Sequence, residues 1–185
     1  MWRLLYIPCI LIIAAAVVAR IWFGKQVVFG KGGQPCKADA DRWSDVLGST
    51  VNLPAEPTAG ELGRDLRKAA IADWQKRDPK AARAREAAKR FGMAVPPLTI
   101  AVVLFALIAH RIPVPGAIAI FLAATALSSL LGLLSIGAEL RAVATLARTL
   151  RERRAFIRTD DEDAVISCAV AEVWLGALPP ILRWL

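Results

Sequence analysis

The chain has 185 residues, 56% of them hydrophobic, and carries 17 Arg and 7 Lys against 16 acids, a formal charge of +8. Its apolar residues are bunched into runs of about 20, the length that crosses a ~30 Å hydrocarbon core at 1.5 Å rise per residue. That bunching excludes an ordinary soluble domain. One histidine, three scattered cysteines and no Cys-x-x-Cys pair exclude a disulfide framework and a His/Cys zinc cluster.

The first run, Leu4 to Phe23, is preceded by Arg3, carries Arg20 near its end and is followed by Lys25 and Lys31. Its charge excess lies after the run rather than before it. We therefore expect an uncleaved N-terminal anchor over residues 1–23 rather than a cleaved signal. Residues 24–92 form a basic segment. Gly30, Gly32, Gly33, Pro35, Pro54 and Pro57 make its first part irregular, with a helical turn at Asp41 to Val46 that packs Trp43 inward. Cys36 falls in this loop as a candidate reactive thiol, whereas Cys9 and Cys168 sit in apolar runs as small hydrophobes. Thr58-Ala-Gly-Glu61 is a capping box, and Leu62, Leu66, Ala69, Ala70 and Trp74 continue it as one apolar stripe. Pro79 interrupts that helix, and a second, basic one follows from Lys80 to Phe91.

Residues 93–138 read as a transmembrane hairpin: a span from Met93 to His110, a turn at Arg111 to Pro115, and a span from Gly116 to Ala138. So short a turn forces antiparallel packing. Ala119, Ala123, Ala126 and Ser129 place small side chains at three- to four-residue intervals and predict the face on which helices approach closely. Residues 139–158 read as a basic amphipathic helix with Leu140, Val143, Leu146, Ala147 and Leu150 on its apolar face. Thr159-Asp-Asp-Glu162 has the form of a second capping box, opening a C-terminal helix over 159–185 that is membrane-associated or a fourth span. The fold class is thus all-α and membrane-integral, with three transmembrane helices, a candidate fourth and a cytoplasmic helical segment.

Fourteen Lys and Arg lie between Lys25 and Arg90 and six between Arg141 and Arg158, against one in the hairpin turn. The positive-inside rule then places residues 24–92 and 139–163 in the cytoplasm, and Met1 and the turn outside. Anionic lipid is the expected partner of the basic segments. Nucleic acid is not, since no aromatic-interleaved basic motif is present. The Ala- and Arg-rich usage points to a bacterial cytoplasmic (inner) membrane.

Chemistry-bearing residues are few. His110, four residues after Ala106, has the spacing of a pigment-ligating pair, although a solvated interfacial histidine is the plainer reading. No cofactor is implied. Ser128, Ser129, Ser135 and Thr125 lack a base to activate them and read as hydroxyls bonded to their own or a neighbouring helix. Glu139 and Glu172 are the acids nearest the bilayer. Each is either part of a proton or cation path or a carboxylate paired with arginine.

Three stretches carry a resemblance: Thr58-Ala-Gly-Glu-Leu-Gly-Arg64; Leu134-Ser-Ile-Gly-Ala-Glu139 followed by Ala142; and Thr159-Asp-Asp-Glu162 followed by Ala164, Val165 and Ala169. Together they resemble bacterial membrane-bound neutral zinc metallopeptidases, over some 120 residues. The resemblance implies an anchor, a hairpin and a capped final helix, with Glu139 as a former ligand position. The family's His-Glu-x-Gly-His stretch has no counterpart, and Arg141 stands where it has an aspartate. The expectation is a non-enzymatic accessory subunit of a larger membrane complex, contacting other membrane proteins. The alternatives are a degenerate peptidase-like regulator or substrate adaptor, and a small transporter or channel component.

Overall fold

The structure, a computed structural model, describes residues 2–48 and 56–176, with side chains from residue 6 onward. Every regular element among these residues is a helix: α1 (Trp2–Ala19), a π-helical segment (Arg20–Lys25), α2 (Gln26–Lys31), α3 (Ala40–Leu47), α4 (Ala59–Arg77), α5 (Pro79–Ile108), α6 (Val114–Glu152) and α7 (Thr159–Leu175). Three helical stretches are long and apolar enough to cross a membrane: Tyr6–Lys31, Pro79–Ile108 and Val114–Glu152. The chain is therefore an all-α protein with three candidate membrane spans. The expected fourth span depends on residues 177–185, including Pro179 and Pro180, which lie outside the described residues.

Several expected boundaries are corrected by helices that run on. The anchor does not stop at Phe23, nor is residue 24 the start of an irregular stretch. The chain stays helical to Lys31 and ends where Gly32 donates its N–H to Val28 O at 2.8 Å. The basic helix from Lys80 and the second span are one element, α5, with Pro96 and Pro97 inside it. The third span and the basic 139–158 helix are likewise one 39-residue element, α6. Polarity changes at Glu139, but no proline lies between Pro115 and the end of α6 at Glu152 to break the backbone, so the charge pattern marks a change of surroundings and not of structure.

The chain divides into two compact units. One comprises 1–19, 83–135 and 177–185; the other comprises 20–82 and 136–176. In the first, Ala16 of α1 is buried with Ile13, Val17 and Leu133, and the Tyr6 hydroxyl donates to Pro115 O at 2.6 Å. In the hairpin, Gly92 faces the Ser128 side chain and Leu131. Pro96 has no N–H, so the carbonyl four residues earlier, Gly92 O, lacks its helical donor. The Ser128 hydroxyl of α6 donates to that oxygen. A neighbouring-helix hydroxyl thus satisfies the carbonyl freed by a proline inside a membrane helix, where no bulk water can do so. Thr125, Ser129 and Ser135 instead donate to Phe121, Thr125 and Gly132 carbonyls of their own helix.

Within the chain, the small-residue face is only partly covered. Ala119, Ala126 and Ser129 are buried, as are Ala117, Ala124, Thr125 and Ser128, but Ala123 is exposed. Ala123 lies on the arc shared with Ile120, Leu127, Leu130 and Leu134, all exposed, because three- and four-residue steps from Ala119 turn to opposite sides of the stripe at 100° per residue.

Candidate functional site

The second unit holds every acidic residue except Glu86. It also gathers Thr58 to Arg64, Glu139 and Thr159 to Ala169, which belong to the three stretches singled out in the sequence.

Helix α4 begins as expected. Glu61 N–H donates to Thr58 Oγ1 at 3.3 Å, and Thr58 N–H donates to Glu61 Oε2 at 3.0 Å. These bonds, with that from the Thr58 hydroxyl, hold the Glu61 carboxyl below its ordinary range. Leu62, Leu66 and Ala70 are fully buried. The two glycines of the stretch are contact points. Gly60 donates its N–H to Gly32 O at 2.9 Å. A Cβ at Gly63 would stand 2.8 Å from both Ala169 N and Cys168 Cβ, so α4 and α7 meet backbone to backbone at Gly63. Gly24 of the π segment makes an equally close approach to Leu175 of α7, beside a stack of Phe23 on Trp174 with centroids 5.1 Å apart.

A row of charges runs through this packing. Arg67 of α4 donates from Nη2 and Nε to Glu139 Oε2 of α6 at 3.1 and 3.3 Å. The Glu139 side chain is 4% exposed and that of Arg67 19%. Arg64, one turn earlier, lies 3.7 Å from Glu172 of α7. Glu172 acts on Arg67 as well, opposing the burial that pulls the guanidinium below its ordinary value, and Arg67 remains a cation at neutral pH. Gly176 leaves room for that guanidinium: a Cβ there would sit 2.9 Å from Arg67 Nη2. Both acids singled out from the sequence are therefore engaged by arginines of one helix. Those arginines escaped the sequence reading, although Arg67 falls on the stripe of Gly63, Leu66, Ala70 and Trp74, where a charge calls for a buried partner.

The start of α7 differs from expectation. Thr159 is already helical, Arg158 holds the cap position, and no side chain caps the helix. The acids bind outward instead. Asp161 Oδ2 accepts from Lys37 N–H at 3.1 Å. Glu162 and Asp163 pair with Arg151 of α6 at 2.6 and 3.2 Å. They thus clamp the 32–39 loop and the end of α6, while still complementing the helix N-terminus. The same loop is held by Cys36 N–H to Pro57 O and by Asp39 N–H to Ala155 O, both 2.9 Å. Asp39 caps α3, whose Trp43 is wholly buried and meets Phe156 edge to face.

Cys36, the candidate reactive thiol of the loop, is buried. It is 2% exposed, its thiol faces Gln34 O and Asp161 O, and burial, with the Asp161 and Cys168 charges, pushes its pKa up to about 11. Burial likewise raises the Cys168 thiol. His110 stands apart from the module, exposed in the hairpin turn with a left-handed backbone (φ 51°). Among the described residues no three His, Cys, Asp or Glu side chains gather as a metal-holding group. Glu139 faces Arg67. Compared with protein-family models, with curated proteins and with solved structures, the chain matches none.

Proposed function

We propose that this chain is a non-catalytic structural or accessory subunit of a larger protein complex in a bacterial cytoplasmic membrane. The observation that carries the reading is the engagement of Glu139 and Glu172 by Arg67 and Arg64. The two acids best placed for a proton path or a metal are tied to cations that hold three helices together, and such pairs serve geometry rather than turnover. The basic module faces the cytoplasm, and the hairpin turn faces outward. The test is purification in mild detergent from native membranes. A subunit brings other membrane proteins with it at fixed stoichiometry; a chain that elutes alone overturns the proposal.

A second reading is favoured by the placement of Thr58 to Arg64, Glu139 and Thr159 to Ala169 in one unit: a degenerate peptidase-like regulator or substrate adaptor that kept a scaffold without its catalytic stretch. Its partner would be a protease or a protease substrate, captured through the cytoplasmic module. A transport role is tested by ion flux in liposomes, which would have to disappear on Glu172→Gln. Orientation is tested in a chain whose native cysteines are replaced by alanine: Arg153→Cys should react from the cytoplasmic side and Val114→Cys from outside.

A further inference from the structure

Within the second unit, the end of α4, the start of α5 and residues 138–145 of α6 enclose a cleft of about 320 Å³. Its floor is Ala81, Ala138 and Ala142 with the half-buried indole of Trp74, and its rim carries Arg77 and Arg141. Asp78 and Thr145 complete the lining; the Asp78 carboxylate is engaged as the cap of α5, accepting the Ala81 N–H at 3.0 Å, and nearby Asp73 pairs with Arg77. Arg141 is exposed and forms no ion pair among the described residues. The cleft also has a particular place in the sequence. Ala138 ends the apolar run from Gly116, and Arg141 is the first cation after it, which is where a membrane helix passes from hydrocarbon to headgroups. Tryptophan and arginine are the residues suited to that boundary.

We propose that this cleft binds the phosphate headgroup of an anionic phospholipid. Arg141 is the principal cation, Arg77 the second, and the alanine and tryptophan floor lies under the glycerol and upper acyl chain. A guanidinium presents paired donors matched to a phosphate. Basic pockets beside membrane helices bind anionic headgroups through this chemistry. The proposal rests on membrane residence and not on the subunit reading, so either can fail alone.

The experiment is a titration of the purified full chain in mild non-ionic detergent, read by native mass spectrometry. The probes are phosphatidylglycerol, phosphatidylcholine with the same acyl chains, and inorganic phosphate. Phosphatidylglycerol is expected to bind about tenfold more tightly than phosphatidylcholine. Arg141→Gln should lose about tenfold, the scale of one charge-assisted hydrogen bond. Arg148→Gln, an exposed arginine on the same helix outside the cleft, should leave binding unchanged. Arg141→Lys keeps the charge and should bind better than Arg141→Gln, a comparison that stands even if the glutamine variant is less stable. Equal binding of the two lipids, equal loss from Arg148→Gln, or a lysine variant no better than glutamine overturns the proposal. Inorganic phosphate binding as tightly as phosphatidylglycerol would assign the cleft to a free anion and also refute a lipid site.

Discussion

The bond from the Ser128 hydroxyl to Gly92 O makes a prediction with an internal control. Ser128→Ala removes the donor and leaves a buried carbonyl already deprived of its helical partner by Pro96. An orphaned buried acceptor costs about 1–3 kcal/mol in soluble proteins. Hydrogen bonds between membrane helices average about 0.6 and reach about 1.7 kcal/mol. Ser128 is 3% exposed, so the loss is expected near the upper end, about 1–2 kcal/mol. Pro96→Ala restores an N–H four residues after Gly92, which can then make the ordinary helical bond. In that background Ser128→Ala should cost less than about 0.5 kcal/mol, and the shortfall is the coupling energy of the pair. The assay is unfolding of all four proteins by denaturing detergent titrated into mild-detergent micelles, followed by tryptophan fluorescence. Equal costs of Ser128→Ala with and without Pro96 would refute the idea that the hydroxyl substitutes for the missing amide.

Gly63→Ala should lower stability by up to about 2 kcal/mol, since overpacking against the α7 backbone costs about 1–3 kcal/mol and the helix-propensity gain returns about 1 kcal/mol. Gly137→Ala, whose Cβ would meet nothing within 4 Å, should be neutral or stabilising, and thermal midpoints of the two variants in detergent check the contrast. Ala126→Leu should destabilise the isolated chain, because Ala126 is buried in the hairpin, whereas Ala123→Phe should leave its midpoint unchanged and reduce the yield of any complex docked on that arc. At pH 8 a maleimide should label Cys36 about a hundredfold more slowly in the folded chain than after denaturation. Raising the pKa from 9.0 to about 11 lowers the thiolate fraction by about that factor; comparable rates would show that the thiol is open.

Much of the architecture was legible because it follows from composition and local chemistry. The three spans came from apolar length, the α4 start from Thr58 and Glu61, and the buried stripe of Leu62, Leu66 and Ala70 from helical periodicity. What escaped the sequence reading depends on tertiary partners. Helix α2 persists through Gly30 because the segment before it is packed on α7 at Gly24 and Phe23, and packing outweighs the roughly 1 kcal/mol a glycine costs a helix. Thr159 and Glu162 have the spacing of a capping box, yet Arg151 supplies a stronger partner for Glu162 and the box does not close. Arg64 and Arg67 carry no local signal of their partners, Glu172 and Glu139, which lie on other helices. Local propensity has no term for a partner more than 70 residues away.

The most direct test of a non-catalytic accessory role is the composition of the assembly released from native membranes by mild detergent. The 20.0 kDa chain would be resolved on a native gel and its band quantified by mass spectrometry. A subunit is expected to migrate well above the mass of its own micelle, with one set of other membrane proteins at a constant molar ratio across preparations. A single species containing this chain alone, or one that conducts ions in liposomes and loses conduction on Glu172→Gln, would contradict that role.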